Sequence, residues 1–151
     1  MERIKIGVLR EEKSPPDKRV PLTPLICSEL TKKYANVDIV VQPSKIRCYT
    51  DDEYTAFGIP LQEDISDCDI LMGVKEVPVE KLIPHKKYFF FSHTIKKQAH
   101  NQKLMKGLIE KKIQMIDYET LTDKQHNRII GFGRYAGIVG AYNGILGYGL
   151  K

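Results

Sequence analysis

The chain has 151 residues, enough for one domain that buries roughly two-thirds of the surface its unfolded form exposes. With 42% hydrophobic and 28% charged residues it is neither a disordered nor a fibrous chain, and no apolar run approaches the roughly 20 residues of a membrane-spanning helix. The net charge of +5 comes from 24 basic residues scattered among 19 acids. No basic stripe with interleaved aromatics argues for nucleic acid, and a small anionic ligand suits the excess equally well.

IKIGVLR (4–10) reads as a first strand that carries Arg10 and Glu11 to its carboxyl end. A strand so near the start leaves no room for a signal or transit peptide. It predicts a cytoplasmic protein, or one of the mitochondrial matrix if a transit peptide has been removed. Residues 11–19 form a loop, since two prolines and a charge run forbid regular structure. Thr23 then caps a helix with Pro24 at its first position, and Leu22, Leu25, Ile26 and Leu30 follow at near-helical spacing. Cys27 falls inside this amphipathic pattern as a small buried hydrophobe. Cys27, Cys48 and Cys68 have no paired spacing, which fits free thiols in a reducing compartment and no zinc site.

DIVVQP (38–43) is a second strand, and residues 50–58 a short helix capped by Thr50 and stopped by Gly58. DILMGVK (69–75) is a third strand, followed by one helical turn at 79–84. KYFFFSH (87–93) is the fourth, its four consecutive rings implying cover on both faces. A helix is expected over 96–112 with Ala99, Leu104, Leu108 and Ile109 inward. A fifth strand over 113–119 delivers Asp117 and Glu119. Residues 121–127 are a turn, 128–133 a short extended piece, and 134–151 a small-residue helix. Strands alternating with helices define an α/β fold: a flavodoxin-like or Rossmann-like three-layer parallel sheet with helices on both faces. The last 18 residues hold no acid and stop without a C-cap, so a fragment of a longer protein is expected.

Ligands of such sheets bind in the crevice beyond the carboxyl ends of the strands. Lys75, His93 and Glu119 each end a predicted strand, and Arg19 lies in the loop after the first. Two cations, an imidazole and a carboxylate can bind a carboxylate-bearing substrate and move protons. Mutual repulsion would push the pKa of Lys75 or His93 toward neutrality. Simpler readings exist for each residue alone. A strand-end lysine is usually solvated, His93 could cap the turn that follows it, and Glu119 could pair with a nearby lysine. Shared location is what favours function. Gly131-Phe132-Gly133-Arg134-Tyr135-Ala136 matches the dinucleotide fingerprint on paper. The fingerprint needs a ribose-binding acid about 20 residues on, and no Asp or Glu follows Asp123. A closely packed helix start is the preferred reading.

IGVLRE (6–11), KRVPLTP (18–24), GVKE (73–76), FFFSHTIKKQ (89–98), IDYE (116–119) and GFGRYAGIVG (131–140) together resemble one known family. It is the amino-terminal domain shared by alanine dehydrogenase, the transhydrogenase alpha subunit and saccharopine dehydrogenase. QPS (42–44), LQEDIS (61–66) and FFSHTIK (90–96) look like its lysine-ketoglutarate reductase branch, found in aminoadipic semialdehyde synthase. The resemblance implies an NAD(P)-dependent amino-acid dehydrogenase when full length, in which an imine forms or is hydrolysed while hydride passes to or from a nicotinamide. By motif, Lys75 and His93 would be the catalytic pair and Arg19 would bind a substrate carboxylate. Glu119, Lys96 and Arg128 would complete the substrate site, with no metal. Residues 1–133 would form the substrate domain. Residues 134–151 would be an interdomain helix leading to a domain outside this sequence that binds NAD or NADP, so this chain alone would be inactive. Expected partners are an amino acid and a 2-oxo acid, with homo-oligomers allowed and neither nucleic acid nor membrane. Alanine dehydrogenase chemistry and a non-catalytic amino-acid-binding or partner-binding module are the alternatives.

Overall fold

The computed structural model describes residues 2–150, and the chain divides into two compact units, Met1–Tyr118 and Glu119–Lys151. The first unit is built on five parallel strands: β1 (Ile4–Val8), β2 (Val37–Val41), β3 (Ile70–Lys75), β4 (Lys87–Phe91) and β5 (Gln114–Asp117). They lie in the order β2-β1-β3-β4-β5. The chain leaves β1 toward one edge and returns at β3 toward the other, so the point where strand order reverses lies between β1 and β3.

Apolar side chains divide between the two faces. On one, Val8, Ile39 and Val41 pack with Cys27 of α1 (Pro24–Lys33) and Tyr54 of α2 (Asp51–Ala56). On the other, Leu71, Tyr88 and Phe90 pack with Leu104 and Leu108 of α3 (Gln102–Glu110). The fold is therefore the three-layer α/β arrangement the sequence predicts. Two buried phenols are satisfied: Tyr54 donates to the Leu22 carbonyl at 2.6 Å, and Tyr88 accepts from the Ile83 N–H at 2.9 Å. Thr23 accepts the Ile26 N–H at the start of α1, and Thr50 with Glu53 forms a capping box on α2. Gly58 ends that segment at φ +77°, a conformation glycine adopts without strain.

Several boundaries differ from expectation. β1, β4 and β5 stop at Val8, Phe91 and Asp117, so Arg10, His93 and Glu119 lie beyond their strands. Polar side chains and tight turns take over the backbone there, and Glu119 sits in a 3-10 turn, Tyr118–Thr120. The expected helix over 96–112 is broken into 3-10 turns at Thr94–Lys96 and Ala99–Asn101 before α3 begins at Gln102. Lys97 is left-handed at φ 52°, which a continuous helix cannot contain. Ala99 and Ile109 are exposed, while Leu104 and Leu108 are buried as expected. On α1 the inward face is Pro24, Cys27 and Ser28, and Leu25 and Ile26 are exposed.

In the second unit, 128–133 is not an extended strand. Its one ladder contact is an isolated bridge between Thr122 and Arg128. Helix α4 spans Gly133–Gly149, and Lys151 lies outside the described residues. Among the described residues no helix is long and apolar enough to cross a membrane.

Gly107 marks where α3 meets the 3-10 turn Val79–Lys81. A Cβ there would lie 2.5 Å from Val79 Cγ1. Gly107→Ala should therefore destabilise the fold by about 1–2 kcal/mol, overpacking outweighing the gain in helix propensity. Urea unfolding would show this as a lower midpoint, and a raised midpoint would refute the close contact.

Candidate active site

The site is built where β3 and β4 end. Met72 pairs with Phe89, but the next partners are Lys75 and Phe91, so three steps on β3 face two on β4. That is a β-bulge, and it changes which face β3 presents. Partners in register project to the same face of a sheet. Lys75 therefore projects on the Phe91 side, whereas an unbroken register would pair it with Ser92 and send it to the other. The backbone N–H groups of Val74 and Lys75 are taken by Glu11, whose two carboxylate oxygens accept them at 2.6 and 2.9 Å.

His93 arrives on the same side. Its ring stacks on Phe91, with centroids 6.4 Å apart and planes at 20°, and Phe91 in turn meets the Tyr118 ring edge-on at 5.1 Å. The His93 backbone is left-handed, φ 57° and ψ 8°, a conformation uncommon outside glycine and held by its neighbours. Fully buried Ser92 is one hold. Its hydroxyl donates to Asp117 on β5, lies 2.8 Å from the Thr94 hydroxyl, and accepts the Thr94 N–H at 3.1 Å. Buried Asn101 is the other, donating to the His93 carbonyl at 2.9 Å. His93 does occupy the N-cap position of the turn Thr94–Lys96, yet its side chain makes no capping bond. Instead Lys96 Nζ approaches Nδ1 at 3.1 Å. An ammonium has only donors, so Nδ1 accepts and the neutral ring carries its proton on Nε2.

Arg19 meets Asp17 two residues earlier. Its Nε lies 2.9 Å from Oδ1 and its Nη2 reaches Oδ2, so one edge of the guanidinium is occupied by an internal carboxylate. Hydrogen bonds from Arg19 outweigh the opposing effect of burial and hold Asp17 at about 2, against an ordinary 3.8. Lys75 adds a smaller attraction on Asp17, which places Lys75, Asp17 and Arg19 in one electrostatic neighbourhood. Glu76, next to Lys75, pairs through Oε1 with Lys13, while its Oε2 is buried without a hydrogen-bond partner. Burial raises the Glu76 pKa, but Lys13, with a contribution from His93, brings it below the usual range.

Lys75, His93, Arg19 and Lys96 thus belong to the first unit, at or beyond the carboxyl ends of its strands. Glu119 and Arg128 belong to the second, where Arg128 Nη2 lies 3.6 Å from Glu119 Oε1. The Gly131–Ala136 run opens α4 with no strand before it, so it lacks the strand–turn–helix context of a dinucleotide site. Sequence reasoning missed Glu11, Asp17, Ser92 and Asn101. The D-x-R spacing at 17–19 was a usable signal for Asp17. Nothing in the sequence marked Asn101.

The chain matches a known family model, alanine dehydrogenase/PNT, N-terminal domain, over residues 7–139, and it belongs to that family. The solved structure of an L-alanine dehydrogenase shares the fold, with a TM-score of 0.66, 18% identity, and coverage of 82% of this chain and 35% of that one. Among curated proteins, the mitochondrial alpha-aminoadipic semialdehyde synthase of Bos taurus is 40% identical over 146 residues, 97% of this chain and 16% of that protein. The lysine-forming, NAD(+) saccharopine dehydrogenase of Emericella nidulans is 32% identical over 139 residues, 88% of this chain and 36% of that protein. The chain thus spans well under half the length of these relatives.

Two measurements check this geometry. The folded pKa of Asp17 lies below its unfolded value, so its stabilisation is complete above pH 4 and is lost as pH falls toward about 2. Arg19→Met should remove about 1–2 kcal/mol at neutral pH and flatten stability over that acid window, as urea titrations at stepped pH would show. Nitrogen-15 NMR of neutral His93 should show the proton on Nε2, and Lys96→Met should reduce that preference; an Nδ1–H tautomer in the wild-type chain would refute the Lys96 contact.

Proposed function

We propose that this chain is the substrate domain of an amino-acid oxidoreductase of the lysine-forming saccharopine dehydrogenase or lysine-ketoglutarate reductase type. The observation that carries the reading is that Lys75 stands in register with Phe91 of the adjacent strand, and the His93 ring stacks on Phe91. The identity to aminoadipic semialdehyde synthase and saccharopine dehydrogenase supports this substrate class, an amino acid and a 2-oxo acid. Forming an imine from an amine and a 2-oxo acid expels water. The carbinolamine oxygen must gain a proton and the nitrogen must lose one. His93, donating from Nε2, serves the oxygen, and Lys75 serves the nitrogen; hydrolysis runs the same transfers in reverse. Arg19 offers its guanidinium to a substrate carboxylate beside Asp17, while Lys96 sets the His93 tautomer.

Hydride exchange is the chemistry that NAD or NADP supplies when bound at its own site. We assign that site to a domain following residues 134–151. Support comes from α4, where Tyr135, Ile138, Val139, Tyr142 and Ile145 are exposed on an apolar helix that carries no buried residue. Glu119 and Arg128 are assigned to the substrate site by motif. The bovine relative is mitochondrial by name, which favours a matrix location over the cytoplasmic alternative.

In the full-length protein, Lys75→Met and His93→Gln should each lower kcat by about 100-fold or more, as for general acid–base residues. The double variant should fall well short of the product of the two losses, since the residues act as a unit. Steady-state kinetics with lysine and 2-oxoglutarate test this. A kcat unchanged within a few-fold in either single variant would overturn the shared-site mechanism.

A further inference from the structure

Glu11 is an acid in a position that ordinary packing disfavours. It is only 8% exposed, and it lies just after β1, at the point where strand order reverses. Both of its oxygens are committed to β3, one to the Val74 N–H and one to the Lys75 N–H. These are the amides of the bulge. Where three residues oppose two, an ordinary ladder leaves a backbone group unpaired, and a buried unpaired N–H costs about 1–3 kcal/mol. A single carboxylate satisfies both amides with charge-assisted bonds. Gly73 leaves the room. A Cβ there would lie 3.3 Å from Leu9 Cδ1, a tight contact that Leu9 would have to relieve, and 3.4 Å from Glu11 Oε1.

We propose that Glu11 is the positioning residue for Lys75: its buried carboxylate holds the bulge that turns Lys75 to the Phe91 and His93 face. This rests on the reading that Lys75 works with His93. A sheet without the bulge would pair Lys75 with Ser92 and present its ammonium to the opposite face, away from the His93 ring. Glu11 touches neither substrate nor reacting atoms in this role; it acts through the backbone of β3. The charged and titratable groups whose fields reach it are Asp17 and Arg19, from the loop after β1, and the Tyr118 phenol beyond β5. Burial raises the Glu11 pKa, and the two amide bonds only partly offset that effect. The hold on β3 is therefore weakened by mild acid, because a protonated carboxyl accepts less strongly.

The test needs no turnover. In proton–nitrogen NMR spectra of this chain between pH 3 and 8, the Val74 and Lys75 amide protons should move together with one shared midpoint. That midpoint should lie above those of exposed carboxyls. Nuclear Overhauser contacts between the Lys75 side chain and the Phe91 ring should weaken as pH falls through it. Glu11→Gln should abolish the shared titration and lose those contacts, since an amide side chain offers one acceptor to two N–H donors. If Glu11→Gln does not fold, the wild-type titration decides alone. Flat amide shifts, or Lys75–Phe91 contacts that persist unchanged through the midpoint, overturn the proposal. Either result leaves the Lys75 and His93 kinetic test standing. A normal kcat in Lys75→Met would in turn sink the catalytic reading without touching the Glu11 titration.

Discussion

The single extra residue between Met72 and Lys75 on β3 decides what this sheet can do. Side-chain direction in a strand has a period of two, so one inserted residue reverses every side chain beyond it. Up to Met72, β3 serves the core, with Leu71 facing the α3 layer and partnered by Tyr88. Past the bulge it serves the crevice, with Lys75 beside Phe91. The same strand is thus both the centre of the fold and, in the proposed function, the carrier of its chemistry. The carboxylate of Glu11 separates the two roles by taking the amides between them. Its location also joins β1 to β3 across the reversal in strand order, where α/β sheets open their ligand crevice.

The next strand solves the same problem differently. β4 ends at Phe91, and the chain turns at once through a left-handed His93. Ser92 makes that turn possible by binding forward to Thr94 and sideways to Asp117 on β5. Asn101, eight residues on, fixes the His93 carbonyl. The imidazole is thereby placed against Phe91 by backbone geometry more than by its own packing. Lys96 then sets which ring nitrogen carries the proton. A rigid frame of this kind is what proton transfer requires, because the donor must already stand in reach of its target.

The parallel sheet, its three layers and most element centres were legible in the sequence. Their signals are local: alternating apolar strands and helices, Thr23-Pro24, the Thr50–Glu53 box, and the four rings of Tyr88–Phe91. The candidate residues at strand ends were legible for the same reason. What the sequence hid was set by contacts distant along the chain. The bulge depends on Glu11, more than sixty residues before Val74. The break in the 96–112 helix depends on Lys97 adopting a left-handed conformation that its residue type does not announce. Ile109 looked inward by periodicity, yet the face of α3 that packs is set by Gly107 against Val79.

The violations of local preference collect in one place. Among the described residues, the buried polar atoms without partners are Glu76 Oε2 and the Tyr118 hydroxyl. Glu11 is a buried carboxylate with a raised pKa, so as pH rises past its unfolded value of about 4.5 its ionisation subtracts from stability. His93 holds an uncommon backbone conformation. Each of these costs free energy, and none is needed to close a five-stranded sheet. A sequence shaped only for stability would place an apolar residue at 11 and continue β3 in register. The cost is concentrated at the carboxyl ends of β3, β4 and β5 and spares the two apolar clusters. That pattern is what the proposed site around Lys75 and His93 would require, because chemistry needs groups held where packing alone would not put them.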